Sequence, residues 1–181
     1  DSMKIVPFNH GSLLDAFVVT AMMPSGAVAA LKREAIYYPV LGQAVLLLGL
    51  LLIDRGSGVR ARRTMKRAGA RMAKERLSVF IAPEGTRGLT GELLPFKRGA
   101  LHLALASHAP IVPMLIDGAF DLHPPGQVTS TPGHLVIRFL PPRPTTSLTA
   151  TSLAAETESL RALFVTELAR MRAERLASTS A

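Results

Sequence analysis

The sequence predicts an α/β fold, a single-domain sandwich in which a largely parallel or mixed β-sheet is flanked by helices. Strand-like apolar runs alternate with helix-like runs along the chain, a pattern typical of βαβ units. The run from Leu50 to Asp54 is almost continuously apolar, as in a strand buried on both faces of a sheet. Three polar turns each follow such a run, at the position where α/β sheets carry their functional groups.

The composition is that of one folded domain. The chain has 181 residues, of which 48% are apolar and 19% charged. We predict one domain over residues 1–181, with a motif-bearing core over about 4–140 and a C-terminal helix over about 152–177. The absence of cysteine excludes disulfides, thiolate metal sites and a cysteine nucleophile. The five histidines lack the spacing of metal ligands, so we predict no metal site.

The formal net charge of +8 predicts an anionic partner. Proteins that bind nucleic acid usually combine basic residues with aromatic ones or contain a base-reading motif. This chain has two Tyr and no Trp, and we find no such motif. We therefore expect no nucleic-acid partner, and the phosphates of lipids or nucleotides are the better candidates.

The first half of the chain predicts three strands and three helices. The strands cover Lys4 to Phe8, Val28 to Lys32 and Leu50 to Asp54. The helices cover Ser12 to Met23, Val40 to Leu48 and Val59 to Arg76. The cluster Pro24-Ser25-Gly26 ends the first helix.

The second half predicts three further strands and two helices. The strands cover Leu77 to Ala82, Ile111 to Asp117 and His134 to Leu140. The helices cover Phe96 to His108 and Leu153 to Leu176, and Asp121 to Gly133 is predicted as a loop. Pro113 indicates a strand start, an edge or a bulge. The buried stripe of the last helix is predicted to be Leu160, Phe164, Leu168 and Met171.

The helix from Val59 to Arg76 has an apolar face and a basic face. The apolar positions are Ala61, Met65, Ala68 and Met72, and the basic ones are Arg60, Arg63, Arg67, Arg71 and Lys74. Like charges at this spacing repel one another. The basic face is either an ordinary solvated surface or a contact with anionic lipid headgroups or an acidic acyl donor.

The first polar turn places His10 and Asp15 where a strand-like run meets a helix-like run. In one interpretation Ser12 caps the helix and Asp15 is the acid three residues later, as in a capping box, while His10 is a loop residue. In the other, Asp15 orients His10, which accepts a proton from a hydroxyl nucleophile. The pair alone favours the structural interpretation, so the choice depends on the other two turns.

Those turns are at Arg55 and at Glu84 to Arg87. Together with the first turn they belong to four stretches that follow one another at characteristic spacing. The stretches are Asn9 to Asp15 (His-x4-Asp), Gly49 to Arg55 (ending in Arg), Phe80 to Arg87 (Pro-Glu-Gly-Thr-Arg) with Phe96 to Ala100, and Ile111 to Pro113. In this pattern the chain resembles the PlsC-type glycerolipid acyltransferases, the 1-acylglycerol-3-phosphate acyltransferase family. The resemblance covers roughly Ile5 to Ile116.

The resemblance implies acyl transfer from a thioester, either acyl-CoA or acyl-carrier protein, to the free hydroxyl of lysophosphatidic acid or a related lysophospholipid. His10 would be the general base, and Asp15 would hold the imidazole tautomer and stabilise the imidazolium. A thioester is already activated, so we expect no cofactor beyond the acyl donor, which is itself a substrate.

Binding residues are also implied by the resemblance. Arg87 and Arg55 would contact the acceptor phosphate, because the planar guanidinium fork suits phosphate oxygens. Glu84 would lie in the acceptor site or shape it. Gly85 would allow a tight turn and offer its N–H, and Thr86 would offer its hydroxyl.

Membrane association on the cytoplasmic face is implied as well, with an anionic membrane surface as a partner. Family members usually carry an N-terminal membrane-associating helical segment before the first stretch, and we expect that segment to be missing here. The uncharged run 35–53 is long enough to suggest a membrane span. Pro39, Gly42 and Gln43 favour a short helix and a strand instead.

Four alternatives stay open. The acceptor could be another lyso-lipid, such as lyso-ornithine lipid. The chain could be a non-catalytic module that binds anionic lipid through its basic helix. It could be a thioesterase that transfers the acyl group to water. A covalent route would use Ser12 as the acylated nucleophile.

Overall fold

The structure is a computed structural model that describes residues 3–37, 43, 50–53 and 59–179. Its strands are β1 (Ile5–Pro7), β2 (Ala27–Lys32), β3 (Leu51–Ile53), β4 (Ser78–Ile81), β5 (Met114–Asp117) and β6 (Val136–Phe139). Its helices are α1 (Leu14–Met22), α2 (Val59–Glu75), α3 (Gly99–Ser107), α4 (Ala119–Leu122) and α5 (Leu153–Thr179), with a 3-10 helix at Arg33–Tyr37.

The strands form a mostly parallel sheet. Four of them pair in the order β1-β4-β2-β3, every pair parallel, and β5 pairs with β6 in antiparallel fashion. Parallel bridges join Ile5 to Ile111 and Phe8 to Met114, so β5 runs beside β1. The predicted fold class, a largely parallel or mixed sheet with flanking helices, is confirmed.

Alternating strand residues pack on opposite faces of the sheet. Ile5 and Ile81 point to the face that α2, α3 and α5 cover, and the larger hydrophobic cluster forms there. Val6 and Phe80 point to the other face, which α1 and α4 cover. Because a strand has a side-chain period of two, β1 and β4 each contribute to both clusters.

The predicted helix stripes face the larger cluster. In α2, Met65, Ala68 and Met72 are buried, and in α5, Phe164 is fully buried and contacts Phe96 edge-to-face. Helices α2 and α3 approach closely at Gly69, where an added Cβ would lie only 2.6 Å from the Cβ of Ala106.

Two helices begin later than predicted. Helix α1 begins at Leu14 instead of Ser12, because the residues before it form a hydrogen-bonded turn. Helix α3 begins at Gly99 instead of Phe96. Phe96 is buried in the core, and Lys97 N–H donates to the carbonyl of Pro83, which holds this segment in a non-helical conformation.

The region after β5 also differs from the prediction. A short helix, α4, precedes and overlaps the predicted loop 121–133, because Ala119 packs into the smaller cluster. Strand β5 begins directly after Pro113, which lacks an N–H group, as expected for a strand start. The predicted helix 40–48, Asp54 and the turn 55–58 lie outside the described residues, apart from residue 43. None of the described helices has the length and hydrophobicity needed to span a membrane.

Replacing Phe164 with Ala should destabilise the protein by about 3–5 kcal/mol, because it removes a fully buried aromatic ring. The measurement is the free energy of unfolding in urea. The matched control is Val165→Ala on the same helix, whose side chain is 46% exposed and whose loss should cost less than about 1 kcal/mol. Equal losses in the two variants would contradict the packing described for α5.

Candidate active site

His10 and Asp15 form a hydrogen-bonded pair at the end of β1. The Nδ1 of His10 lies 3.0 Å from Oδ2 of Asp15. The Asp15 side chain is 1% exposed, whereas that of His10 is 23% exposed. The carboxylate is therefore shielded from solvent, while the imidazole remains accessible.

The same carboxylate oxygen organises the turn that precedes α1. Oδ2 of Asp15 also accepts hydrogen bonds from the backbone N–H groups of Gly11 and Ser12, both at 2.8 Å. The contact with Ser12 resembles the backbone half of a capping box, but the N-cap residue of α1 is Leu13, so the predicted capping box is not formed. One carboxylate oxygen therefore binds both the turn before α1 and the imidazole. The general-base role of His10 stays a prediction.

The pairing selects one tautomer of His10. Because a carboxylate only accepts hydrogen bonds, Nδ1 carries the proton and Nε2 keeps its lone pair. Nε2 can then accept a proton from a bound hydroxyl. This is the arrangement that a general base requires.

Glu84 fixes the backbone of His10 from a different part of the chain. Its Oε1 accepts from the N–H of His10 at 2.7 Å, and its Oε2 accepts from the N–H of Leu94 at 2.9 Å. The side chain is 3% exposed. Burial raises the pKa of Glu84, and the two backbone hydrogen bonds partly oppose that effect by stabilising the anion.

Asn9 holds the turn that contains His10 against β5, a role that the sequence did not predict. Its Nδ2 donates to the carbonyl of Ile116 at 2.8 Å, and its Oδ1 accepts from the N–H of Ile116 at 2.9 Å. The amide thus pairs with both backbone groups of one residue. The signal in the sequence was an Asn directly before His10 at a strand end, but its partner is 107 positions away.

These groups face a cavity of about 630 Å³. His10, Asp15 and Glu84 line one side of it, and the ends of β5 and α4 line another. Helix α5 forms a further wall, which the sequence analysis treated only as a packing element. The residues of that wall include Arg161, Val165, Leu168, Ala169, Arg172 and Leu176.

Gly85, Thr86 and Arg87, which were also predicted as site residues, do not line this cavity. Gly85 has a φ of 80° and turns the chain after β4, as the tight turn requires. Thr86 and Arg87 are exposed. The structure thus brings His10, Asp15 and Glu84 together, with Arg87 outside the cavity wall. Arg55 lies outside the described residues.

The geometry of Ser12 opposes the covalent alternative. Its side chain is fully buried, and its Oγ donates to the carbonyl of His123 at 2.8 Å. The same oxygen accepts from the N–H of Leu14 at 3.2 Å. A nucleophile must reach the substrate with a free hydroxyl, so Ser12 acts as a structural residue in this turn.

Known proteins share the sequence and the fold. A family model described as Acyltransferase matches residues 3–117. A 1-acyl-sn-glycerol-3-phosphate acyltransferase of Limnanthes douglasii is 42% identical over 134 residues, covering 74% of this chain and 48% of that protein. The human 1-acyl-sn-glycerol-3-phosphate acyltransferase beta is 34% identical over 151 residues, covering 83% and 54% of the two chains.

A solved structure supports the fold. The crystal structure of PlsC from Thermotoga maritima, a 1-acyl-sn-glycerophosphate (LPA) acyltransferase, matches with a TM-score of 0.75 at 24% identity. The match covers 96% of this chain and 68% of that one. This chain spans about half the length of the curated relatives it matches.

The raised pKa of Glu84 predicts a pH-dependent difference between the wild type and Glu84→Gln. Between the ordinary glutamate pKa and the higher pKa of Glu84 in the folded protein, this side chain is deprotonated in the unfolded state but still protonated in the folded state. Raising the pH through this window therefore lowers the free energy of unfolding. Urea unfolding from pH 4 to 8 should show the wild type losing stability relative to the variant through that window, with a constant difference above it. A difference that is independent of pH would contradict the burial effect.

Proposed function

The chain belongs to the acyltransferase family, and on that premise we propose that it transfers a fatty acyl group from a thioester to the free hydroxyl of lysophosphatidic acid. The observation that carries the proposal is the His10–Asp15 pair, which faces a cavity large enough for a lipid headgroup and a thioester. The named activity of the curated relatives supports this choice of acceptor.

The proposed reaction needs one proton acceptor and no change of oxidation state. The acceptor hydroxyl attacks the thioester carbonyl while Nε2 of His10 takes its proton. The resulting tetrahedral intermediate expels the thiolate, which receives that proton from the imidazolium. An ester bond forms and a carbon–sulfur bond breaks, and His10 returns to its neutral state.

Asp15 supports this cycle without taking the proton. Its buried carboxylate faces Nδ1 at 3.0 Å, so it stabilises the imidazolium as the positive charge develops. The two backbone N–H groups on the same oxygen keep the carboxylate in place. The ring therefore need not reorient between the two proton transfers.

The acyl donor is proposed as acyl-CoA or acyl-carrier protein, with no additional cofactor. Lysophospholipids with other headgroups, and lyso-ornithine lipid, are alternative acceptors for the same chemistry. A thioesterase would use the His10–Asp15 pair on water, and a non-catalytic lipid-binding module would not use the pair.

Phosphate binding by Arg87 and Arg55 remains part of the proposal. Arg87 would reach a headgroup from outside the cavity wall.

Loss of His10 tests the proposed chemistry. Wild-type protein in mixed micelles should release thiol from palmitoyl-CoA only when lysophosphatidic acid is present, and His10→Ala should lower the rate by at least about 100-fold, the typical contribution of general-base catalysis. Asp15→Asn should also be impaired, because the amide can present an N–H to Nδ1 and invert the tautomer. The control is His134→Ala, which changes an exposed histidine outside the cavity.

The outcomes of that assay separate the alternatives. Thiol release that is indifferent to the acceptor would indicate a thioesterase. If the protein binds lipid but turns over neither palmitoyl-CoA nor palmitoyl-acyl-carrier protein, it is a binding module. Full activity of His10→Ala would exclude the general-base role.

We also propose that the protein works at an anionic membrane on the cytoplasmic face, where α2 contacts lipid headgroups. Arg63, Lys66, Arg67 and Lys74 of this helix are exposed. Basic residues near an anionic surface each contribute about 1 kcal/mol of attraction. Helix α1 also exposes an apolar side chain, Phe17, which is 68% exposed. Because α1 and α2 cover opposite faces of the sheet, one flat membrane surface would not contact both helices.

Neutralising two charges on α2 tests this contact. Lys66→Gln with Arg67→Gln should weaken partitioning onto phosphatidylglycerol vesicles about tenfold or more at low salt. The control exchanges the charges, Lys66→Arg with Arg67→Lys, and should bind like the wild type. Unchanged partitioning of the Gln variant would show that α2 is a solvated face and that another surface meets the membrane.

A further inference from the structure

We propose that Arg161 on α5 forms a phosphate subsite inside the catalytic cavity. This inference rests on the proposed function, because it assigns the group that orients a phosphorylated substrate beside His10. The ligand chemistry is a phosphate ester, which both the lysophosphatidic acid acceptor and the acyl-CoA donor contain.

The first observation is how Arg161 is held. Its Nη2 donates to the carbonyl of Leu93 at 3.1 Å, and its Nε donates to the carbonyl of Leu94 at 3.3 Å. The side chain is partly buried and lines the cavity. A guanidinium has five N–H donors, so two bonds to neutral carbonyls fix its plane while leaving donors and the full positive charge for a ligand.

The second observation is that Arg172, the other arginine on the cavity wall, and its neighbour Arg175 on α5 both have carboxylate partners. Arg172 pairs with Asp117 at 3.7 Å, and Arg175 pairs with both Asp117 and Asp121. None of the ion pairs found among residues 3–37, 50–53 and 59–179 includes Arg161.

The buried carboxylates on the cavity wall have their own partners as well. Asp15 is held by His10 and two backbone N–H groups, and Glu84 accepts two backbone N–H groups. Glu92 is exposed, and no ion pair joins it to Arg161. A partly buried cation without an ion-pair partner favours an anionic ligand, because such a charge is costly to desolvate uncompensated.

The third observation is that Arg161 is linked to the catalytic turn by hydrogen bonds. Its Nε binds the carbonyl of Leu94, the N–H of Leu94 binds Glu84, and the other oxygen of Glu84 binds the N–H of His10. An anion on Arg161 would therefore sit on a framework that is rigidly related to the general base. Such fixed positioning is what converts binding energy into rate.

The surroundings of Arg161 suit an amphiphilic phosphate ester. Val165 and Leu168 follow it on the same wall of the cavity. A phosphate on the guanidinium would place an attached apolar chain next to these side chains. Arg87, by contrast, is exposed and does not line the cavity, so the two arginines would contact different parts of the substrates.

The test compares substrates that contain phosphate with matched substrates that lack it. Arg161→Gln should raise the KM for lysophosphatidic acid about tenfold or more, the usual effect of losing a charge-assisted hydrogen bond. Its kcat/KM for monoacylglycerol, which has no phosphate, should change much less. The KM of Arg161→Lys for lysophosphatidic acid should lie between those of the wild type and Arg161→Gln, because lysine keeps the charge but loses the planar fork. The control is Arg170→Gln, which removes an exposed, ion-paired arginine of α5 outside the cavity.

The donor arm identifies the source of the phosphate. If the KM for palmitoyl-CoA rises and that for lysophosphatidic acid does not, the subsite holds a donor phosphate. With S-palmitoyl-N-acetylcysteamine, the difference between variant and wild type should then be much smaller. The proposal would be overturned if Arg161→Gln lost as much activity with the two phosphate-free substrates as with the phosphate-containing ones. Arg161 would then only position the loop at Leu93 and Leu94.

A binding readout keeps this test separate from the proposed function. Glycerol 3-phosphate should raise the Tm of the wild type and of Arg170→Gln, and it should raise the Tm of Arg161→Gln much less. If the wild type transfers no acyl group, the proposed reaction fails while this comparison still decides the subsite. Identical shifts in all three proteins would overturn it.

Discussion

One oxygen of the Asp15 carboxylate holds together the turn that contains His10. It accepts from the imidazole of His10 and from the backbone N–H groups of Gly11 and Ser12, and it is almost completely buried. A buried carboxylate with fewer donors would be strongly destabilising, because each hydrogen bond to a charged group contributes roughly 1.5–3 kcal/mol. The start of α1, the tautomer of His10 and the accessibility of Nε2 all depend on this one atom.

The sheet places the rest of the site around that atom. Because β1 lies between β4 and β5, the turn after β1 can be held from both sides. Glu84, after β4, binds the N–H of His10, and Asn9 pairs with the backbone of Ile116 in β5. A change of strand order would separate these partners even if every local element formed.

Helix α5 contributes to both stability and the cavity. Its buried side, with Phe164 at the centre, packs on α3 and the sheet, while a neighbouring side faces His10 across the cavity. Arg175 binds the buried Asp117 at the end of β5, and Arg161 binds the backbone of Leu93 and Leu94. A single helix thus holds both the end of β5 and the segment at Leu93 and Leu94.

The sequence by itself determined the features that depend on local spacing. The alternation of strands and helices, the buried stripes of α2 and α5 and the His10–Asp15 pair follow from periodicity or from a separation of five residues. Only the tertiary structure decided that Glu84 supports the His10 backbone, that Asn9 pairs with Ile116, and that Arg161 lines the cavity. These contacts join residues 67 to 107 positions apart, or depend on which strands are neighbours. No local pattern encodes them, because a backbone carbonyl or N–H presents the same chemistry at every position until the fold brings a partner to it.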